Sequence, residues 1–189
     1  MKKLFLIAAM AVMSVAAGAQ NLKWAYIDFN EVIMLMPEMD SARATLEENQ
    51  KTNEEILMAM YEEYQTKAQQ YQQKAETWTA AIRQSKENEL MEIQSRLEQT
   101  QQSFATEINQ LQQELQAPIV EKAQNTVNEL AKAKGVAVVL EKGSVIYIDP
   151  AQCVDLTPEA RKALNIPEGR TLEQLQQELA AKAQAAQGM

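Results

Sequence analysis

From Glu38 to Ala117 the chain runs eighty residues without a glycine or a proline. Domains built of short elements need those residues at turns and caps, so a run of this length is long helix. Within it Leu57, Tyr64, Tyr71 and Trp78 recur every seven residues, and so do Leu90, Leu97, Phe104 and Leu111. Secondary apolar positions such as Tyr61, Ala68, Ala75, Ile108 and Leu115 flank them. These are heptad seams. The apolar pattern lapses only over Arg83-Gln84-Ser85-Lys86-Glu87-Asn88-Glu89. Folding back near Gln84 sets Leu57 against Leu111, Tyr64 against Phe104, Tyr71 against Leu97 and Trp78 against Leu90. The outward leg of that antiparallel hairpin would span roughly 70 Å at 1.5 Å per residue. Any two sets of period seven can be aligned, and a register half a heptad away is open. A single straight rod is also open, because the lapse holds neither Gly nor Pro.

The flanks carry the β signals. Trp24-Ala25-Tyr26-Ile27-Asp28-Phe29 is β-prone, and Asn30 to Met36 reads as a helical turn or two that stops at Pro37. Pro118 should kink or restart the returning helix, which Gly135 then ends in a left-handed conformation. Val136 to Leu140, the Glu141-Lys142-Gly143 turn and Ser144 to Ile148 read as strand, turn, strand. Thr157 and Pro158 open another helix as cap and first residue, and Thr171-Leu172-Glu173-Gln174 is a capping-box pattern for a last one. The organisation expected is a first strand and short helix over 20–37, a helical-hairpin arm over 38–117, and the end of the return helix, a β-hairpin and a short helix over 118–169. A helical extension follows over 170–189. Three short strands cannot bury apolar residues on both faces or close their own edges, so strands of neighbouring copies are expected to do so. Tyr26, Ile27, Val138, Leu140, Ile146 and Ile148 are the candidates for that shared core. The fold class is mainly α, a long antiparallel hairpin on a small three-stranded β body that oligomerises.

Residues 1–19 are set aside as a leader. Met1-Lys2-Lys3 is a basic start, Leu4 to Val15 a short apolar run, and Ala17-Gly18-Ala19 a cleavage signature. The run is well short of the ~20 residues that cross a bilayer, so an exported chain without stable membrane insertion is expected. Removing Lys2 and Lys3 takes the net charge from -8 to about -10, which argues against nucleic acid as a partner. Cys153 is the single cysteine, which excludes an intramolecular disulfide. The sequence contains no histidine, the commonest general base and metal ligand. No glycine-rich phosphate cradle is present, and neighbouring carboxylates such as Glu54 and Glu55 diverge on a helix. No catalytic, cofactor or metal site is therefore assigned, and an enzyme is not expected.

Methionines stand out in so polar a chain. Their unbranched thioethers adapt to irregular apolar partners or fill gaps in a thin core. Met58, Met60, Tyr61 and Met91 are the candidates for contact with a client. The heptad residues Leu57, Tyr64, Tyr71, Trp78, Leu90, Leu97, Phe104 and Leu111 are assigned to the seam.

The succession Trp24-Ala25-Tyr26-Ile27-Asp28-Phe29-Asn30, Pro37-Glu38, long Gln/Glu-rich helices, Pro118-Ile119, Ala133-Lys134-Gly135-Val136, Val138-Val139-Leu140 and Val145-Ile146-Tyr147-Ile148 resembles the Skp/OmpH family of periplasmic chaperones. The likeness runs from residue 22 to about 165. It implies a periplasmic trimer whose β body holds three helical tentacles around a cavity, where unfolded outer-membrane proteins are held without ATP. A structural coiled-coil tether or scaffold of the envelope is the rival class. Two features depart from the family pattern. Between Glu38 and Ala117 fifteen residues are acidic and seven basic, where the resemblance implies a basic-armed grip, so no lipopolysaccharide site is carried over. The helix from Thr171 onward also extends past the usual family end.

Overall fold

The computed structural model describes residues 22–187, so the leader expected at 1–19 lies outside the described residues. The elements in order are β1 (Lys23–Ile27), α1 (Phe29–Leu35), α2 (Pro37–Lys74), α3 (Ala80–Lys134), β2 (Val136–Glu141), β3 (Cys153–Asp155), α4 (Thr157–Ala163) and α5 (Leu172–Gln187). Single 3-10 turns lie at Ala75–Thr77 and Lys142–Ser144. The chain divides into a helical unit, Met36–Glu121, and a β unit formed by the described residues up to Leu35 and from Lys122 onward.

In the β unit, β1 is the central strand of a three-stranded sheet and runs parallel to both neighbours, in the order β2-β1-β3. Successive residues of a strand face opposite sides. Ala25 and Ile27 are accordingly buried, while Trp24 is exposed. Val32 and Leu35 of α1, Ala123 and Val127 of α3, Leu156, Ala160, Leu164, Ile166 and Leu175 complete this unit's core. Side chains tie its ends together. The Asp28 carboxylate caps α1 by accepting from the Glu31 N–H (3.0 Å), and Glu141 accepts from the Phe29 N–H (2.9 Å). Thr157, expected as a cap, instead opens α4, and its hydroxyl accepts from the Asp28 N–H (3.0 Å). Arg161 pairs with Glu31 and donates to the Arg170 carbonyl, linking α4, α1 and the loop before α5.

The expected β-hairpin is not formed. Two-residue hairpin turns need positive φ, and among the described residues only Gly135, Asn165 and Gly169 have it. With no such residue between β2 and β3, the chain coils into the 3-10 turn at Lys142–Ser144, where the Gly143 N–H meets the Glu141 carboxylate. Residues 145–148 are not a strand, and Ile146 is fully exposed. The third strand begins at Cys153, after a turn in which the Asp149 carboxylate takes the Ala151 N–H (2.9 Å) and its carbonyl takes the Cys153 N–H (3.0 Å). Gly135, at φ +63°, ends α3. Reciprocal 3.2 Å bonds between Thr171 and Gln174 start α5, and α5 packs on α1 with Leu175 buried.

The helical unit is an antiparallel hairpin whose turn occupies Ala75 to Thr79, earlier than the expected position near Gln84. Polar residues 83–89 lie inside α3, capped by Thr79, which receives the Ile82 N–H on its hydroxyl and the Arg83 N–H on its carbonyl. Trp78 stands outside both helices and turns its ring edge-on to Tyr71, with centroids 5.9 Å apart. Cross-helix contacts fix the register: Asn49 to Glu107, Glu63 to Arg96, Lys67 to Glu89 and Tyr71 to Glu87. Tyr64 is therefore level with Ile93, and the expected pairs Leu57/Leu111, Tyr64/Phe104, Tyr71/Leu97 and Trp78/Leu90 are not formed. The helix does not restart at Pro118, which lies within α3.

One polar side chain is buried in the seam: Asn53 donates to Asn49 (3.1 Å), which donates to Glu107 across the hairpin (3.2 Å). A lone seam asparagine lowers stability and specifies register. Asn53→Leu is expected to raise the thermal midpoint by a few degrees, equivalent to about 1 kcal/mol, and to admit a second register. Calorimetry and the distance between spin labels at exposed residues 62 and 95, measured with Cys153→Ser and dilution by unlabelled chain, check this. A lowered midpoint with one sharp distance would show that the asparagine contributes stability instead.

Candidate functional site

Two surfaces carry apolar residues without cover from their own unit. The first is the outer side of the hairpin. All eight seam residues, Leu57, Tyr64, Tyr71, Trp78, Leu90, Leu97, Phe104 and Leu111, are half-buried. Two further seam positions, Asn53 and Ile93, are buried. Both escaped the heptad reading, although Ile93 lies three residues after Leu90 and four before Leu97, the alternate spacing of a seam. Of the client-contact candidates, Met58 is 65%, Tyr61 54% and Met91 58% exposed. Met60 is half-buried and level with Leu97, so it sits on the seam side.

The second surface is one face of the sheet. The register sets Trp24 beside Val138 and Cys153, and Tyr26 beside Leu140 and Asp155. Side chains in a row share a face, so Trp24, Tyr26, Val138, Leu140 and Cys153 form an apolar patch opposite Ala25 and Ile27. Trp24 and Val138 are exposed, and Tyr26, Leu140 and Cys153 half-buried. Ile27 is buried within its own chain, Ile148 is half-buried, and Ile146 stands outside the sheet. Trp24 was the missed member of this patch. Its alternation with Ala25 was the available signal.

Charge near the hairpin turn is organised by pairs. Lys67 bonds Glu89 across the helices, Lys86 reaches Glu89 (2.7 Å) and Arg96 reaches Glu63 (3.1 Å). The hydrogen bond from Lys67, then that from Lys86, lowers the Glu89 pKa from 4.5 to about 2. The same bond to Glu89 raises the Lys67 pKa. A hydrogen bond to Glu87 raises that of Tyr71. Among the described residues no cluster of His, Cys, Asp and Glu could hold a metal ion, and no helix is long and apolar enough to cross a membrane. These surfaces offer contact area and fixed charge.

A family model described as outer membrane protein (OmpH-like) matches residues 23–164, from β1 into the residue after α4. The chain belongs to the OmpH-like family. Two relatives are named chaperone protein Skp. That of Yersinia enterocolitica is 27% identical over 150 residues, covering 79% of this chain and 90% of the relative. That of Pectobacterium atrosepticum is 26% identical over 152 residues, covering 80% and 91%. The OmpH-like match stops short of α5.

A carboxylate with a folded pKa below its unfolded value stabilises fully above the unfolded value and loses that contribution as pH falls through the folded one. For Glu89 the window runs from pH 4.5 down to about 2. The amides at the hairpin end near the turn should therefore lose protection, taken relative to the intrinsic exchange rate at each pH, across that window, by a modest factor because the pair is partly exposed. In Glu89→Gln the same amides should be less protected already at pH 6 and less sensitive to acid. An unchanged pH profile in the variant would contradict the assignment.

Proposed function

We propose that this chain is a periplasmic holdase, exported by cleavage of the leader at 1–19. It keeps unfolded outer-membrane proteins soluble without ATP, in a cavity between the helical hairpins of a homotrimer. The observation that carries the reading is a hairpin with Met58, Tyr61 and Met91 turned to solvent, in a member of a family whose relatives are named chaperones. An unfolded client offers scattered apolar side chains in no fixed order. Many weak contacts from flexible thioethers and one aromatic suit it better than a shaped pocket. Such contacts need no nucleotide, because release follows from the client burying the same side chains as it folds.

The sheet supports the self-association in this reading. Parallel sheets occur almost only with both faces covered, and here the face with Trp24, Tyr26, Val138 and Leu140 is only partly covered by the described residues. Symmetry-related copies of this face, with the free edges of β2 and β3, would remove both exposures. The exposed Ile146 and Tyr147 after β2 would add to that contact.

Two outcomes test the proposal. Diluting a urea-unfolded outer-membrane barrel into the mature protein, without nucleotide, should suppress light scattering at a small molar excess of trimer. Undiminished scattering, with capture of one fixed folded envelope protein from periplasm, would select a structural tether. Val138→Asp places a carboxylate on the open sheet face and should lower the sedimenting mass toward that of one chain. A Val138→Asp protein with wild-type mass would show that this face is not the contact between copies.

A further inference from the structure

Building on the holdase reading, we infer that the α2 surface around Met58 and Tyr61 selects unfolded segments in which apolar side chains are interspersed with Lys or Arg. On a helix, residues three and four apart are neighbours. Met58 is therefore ringed by Glu54, Glu55, Tyr61 and Glu62, all exposed. Asp40, Glu63 and Glu89 hold cations in ion pairs of the hairpin. Glu54, Glu55 and Glu62 have no such partner among the described residues. The imbalance extends over the whole helical unit. Residues 36–121 contain sixteen acidic and seven basic side chains, and Arg43, Lys67, Lys86 and Arg96 are already paired.

Two kinds of contact thus lie side by side. The Met58 thioether and the Tyr61 ring take apolar side chains, and the ring face also attracts a Lys or Arg cation. The three carboxylates accept charge-assisted hydrogen bonds from the same cations. An acidic segment of equal apolar content meets repulsion at every carboxylate. Steering by the acidic surface favours cationic segments before contact, and salt removes that part because exposed charges beyond roughly 10 Å are screened.

The test uses the full mature protein and two fluorescent peptides of identical apolar residues, one with lysine and one with glutamate at the intervening positions. Anisotropy should give about tenfold tighter binding of the lysine peptide at low salt, narrowing as salt is raised. Changing Glu54, Glu55 and Glu62 together to Gln should shrink the preference while leaving circular dichroism unchanged. Met58→Ser with Tyr61→Ser should weaken both peptides. Equal affinities, or tighter binding of the glutamate peptide, would overturn the charge selection while leaving the holdase reading intact. Binding of neither peptide, together with undiminished scattering of the unfolded barrel, would overturn both. A preference that survives the triple Gln variant would place the selecting charges elsewhere and overturn this assignment.

Discussion

β1 is bonded on both sides to strands that follow it by more than a hundred residues, and the rest of the β unit depends on that pairing. Parallel neighbours cannot be joined by a tight turn and need a long crossover. Here the crossover between β1 and β2 contains α1, α2 and α3. In a flexible connection each doubling of length adds only about 0.6 kcal/mol of closure entropy, and a prefolded helical connection loses less. A long hairpin is thus an inexpensive insertion between two adjacent strands. The bonds at residues 26 to 29 secure the return: the Tyr26 carbonyl takes the Leu156 N–H (2.9 Å), while Thr157 and Glu141 take the next donors. All three come from the chain beyond β2's last residue or from that residue itself, so the far half of the sequence completes the first strand.

What the sequence made legible follows from whether the signal was local. The absence of Gly and Pro over residues 38–117, Gly135 after a helix, and the Thr171/Gln174 pattern each act within a few residues, and the helices they describe are formed. The hairpin register was different in kind, because the period of seven leaves several alignments equal in apolar pairs. Asn53, Thr79 and the ring of Trp78 against Tyr71 distinguish between them, and none of these is an apolar repeat. The polar run 83–89 was misleading for a related reason. Five of its seven residues are Arg, Gln, Lys or Glu, which are good helix formers, and a helix that needs few buried contacts tolerates such a run in its first turns.

The misplaced third strand shows the same limit. Val145-Ile146-Tyr147-Ile148 has high β propensity, but propensity reflects fit to a pleated, half-covered surface. β1 is filled by β2 on one side and by the short Cys153–Asp155 segment on the other, and β2 is followed by the 3-10 turn at Lys142–Ser144 in place of a tight turn that would fold the segment back along the outer edge of β2. Cys153-Val154-Asp155 is a weaker strand former by composition. It pairs because Asp149 and Pro150 set the turn before it and Leu156 and Thr157 are anchored after it. The candidate sites were legible as residue types and less so as neighbours: Met58, Tyr61 and Met91 are solvent-facing, but Met60 turned to the seam and Trp24 joined the sheet patch.

A two-helix hairpin has too little interior to bury its own apolar residues. Between residues 46 and 111 only Asn53 and Ile93 are buried, and the seam residues remain half-covered. Stability must then come from many partial contacts and from surface pairs such as Lys67 with Glu89, each individually weak. The same geometry places Met58, Tyr61 and Met91 within reach of any chain in solution. A thicker bundle would hide them and would be more stable. Dense glutamate and glutamine around these side chains limits their aggregation with one another, since like charges oppose close approach of two hairpins. The composition that makes the hairpin thin is therefore also what lets it display apolar contacts, and under the proposed function its negative sign would favour chains that meet those contacts without repulsion.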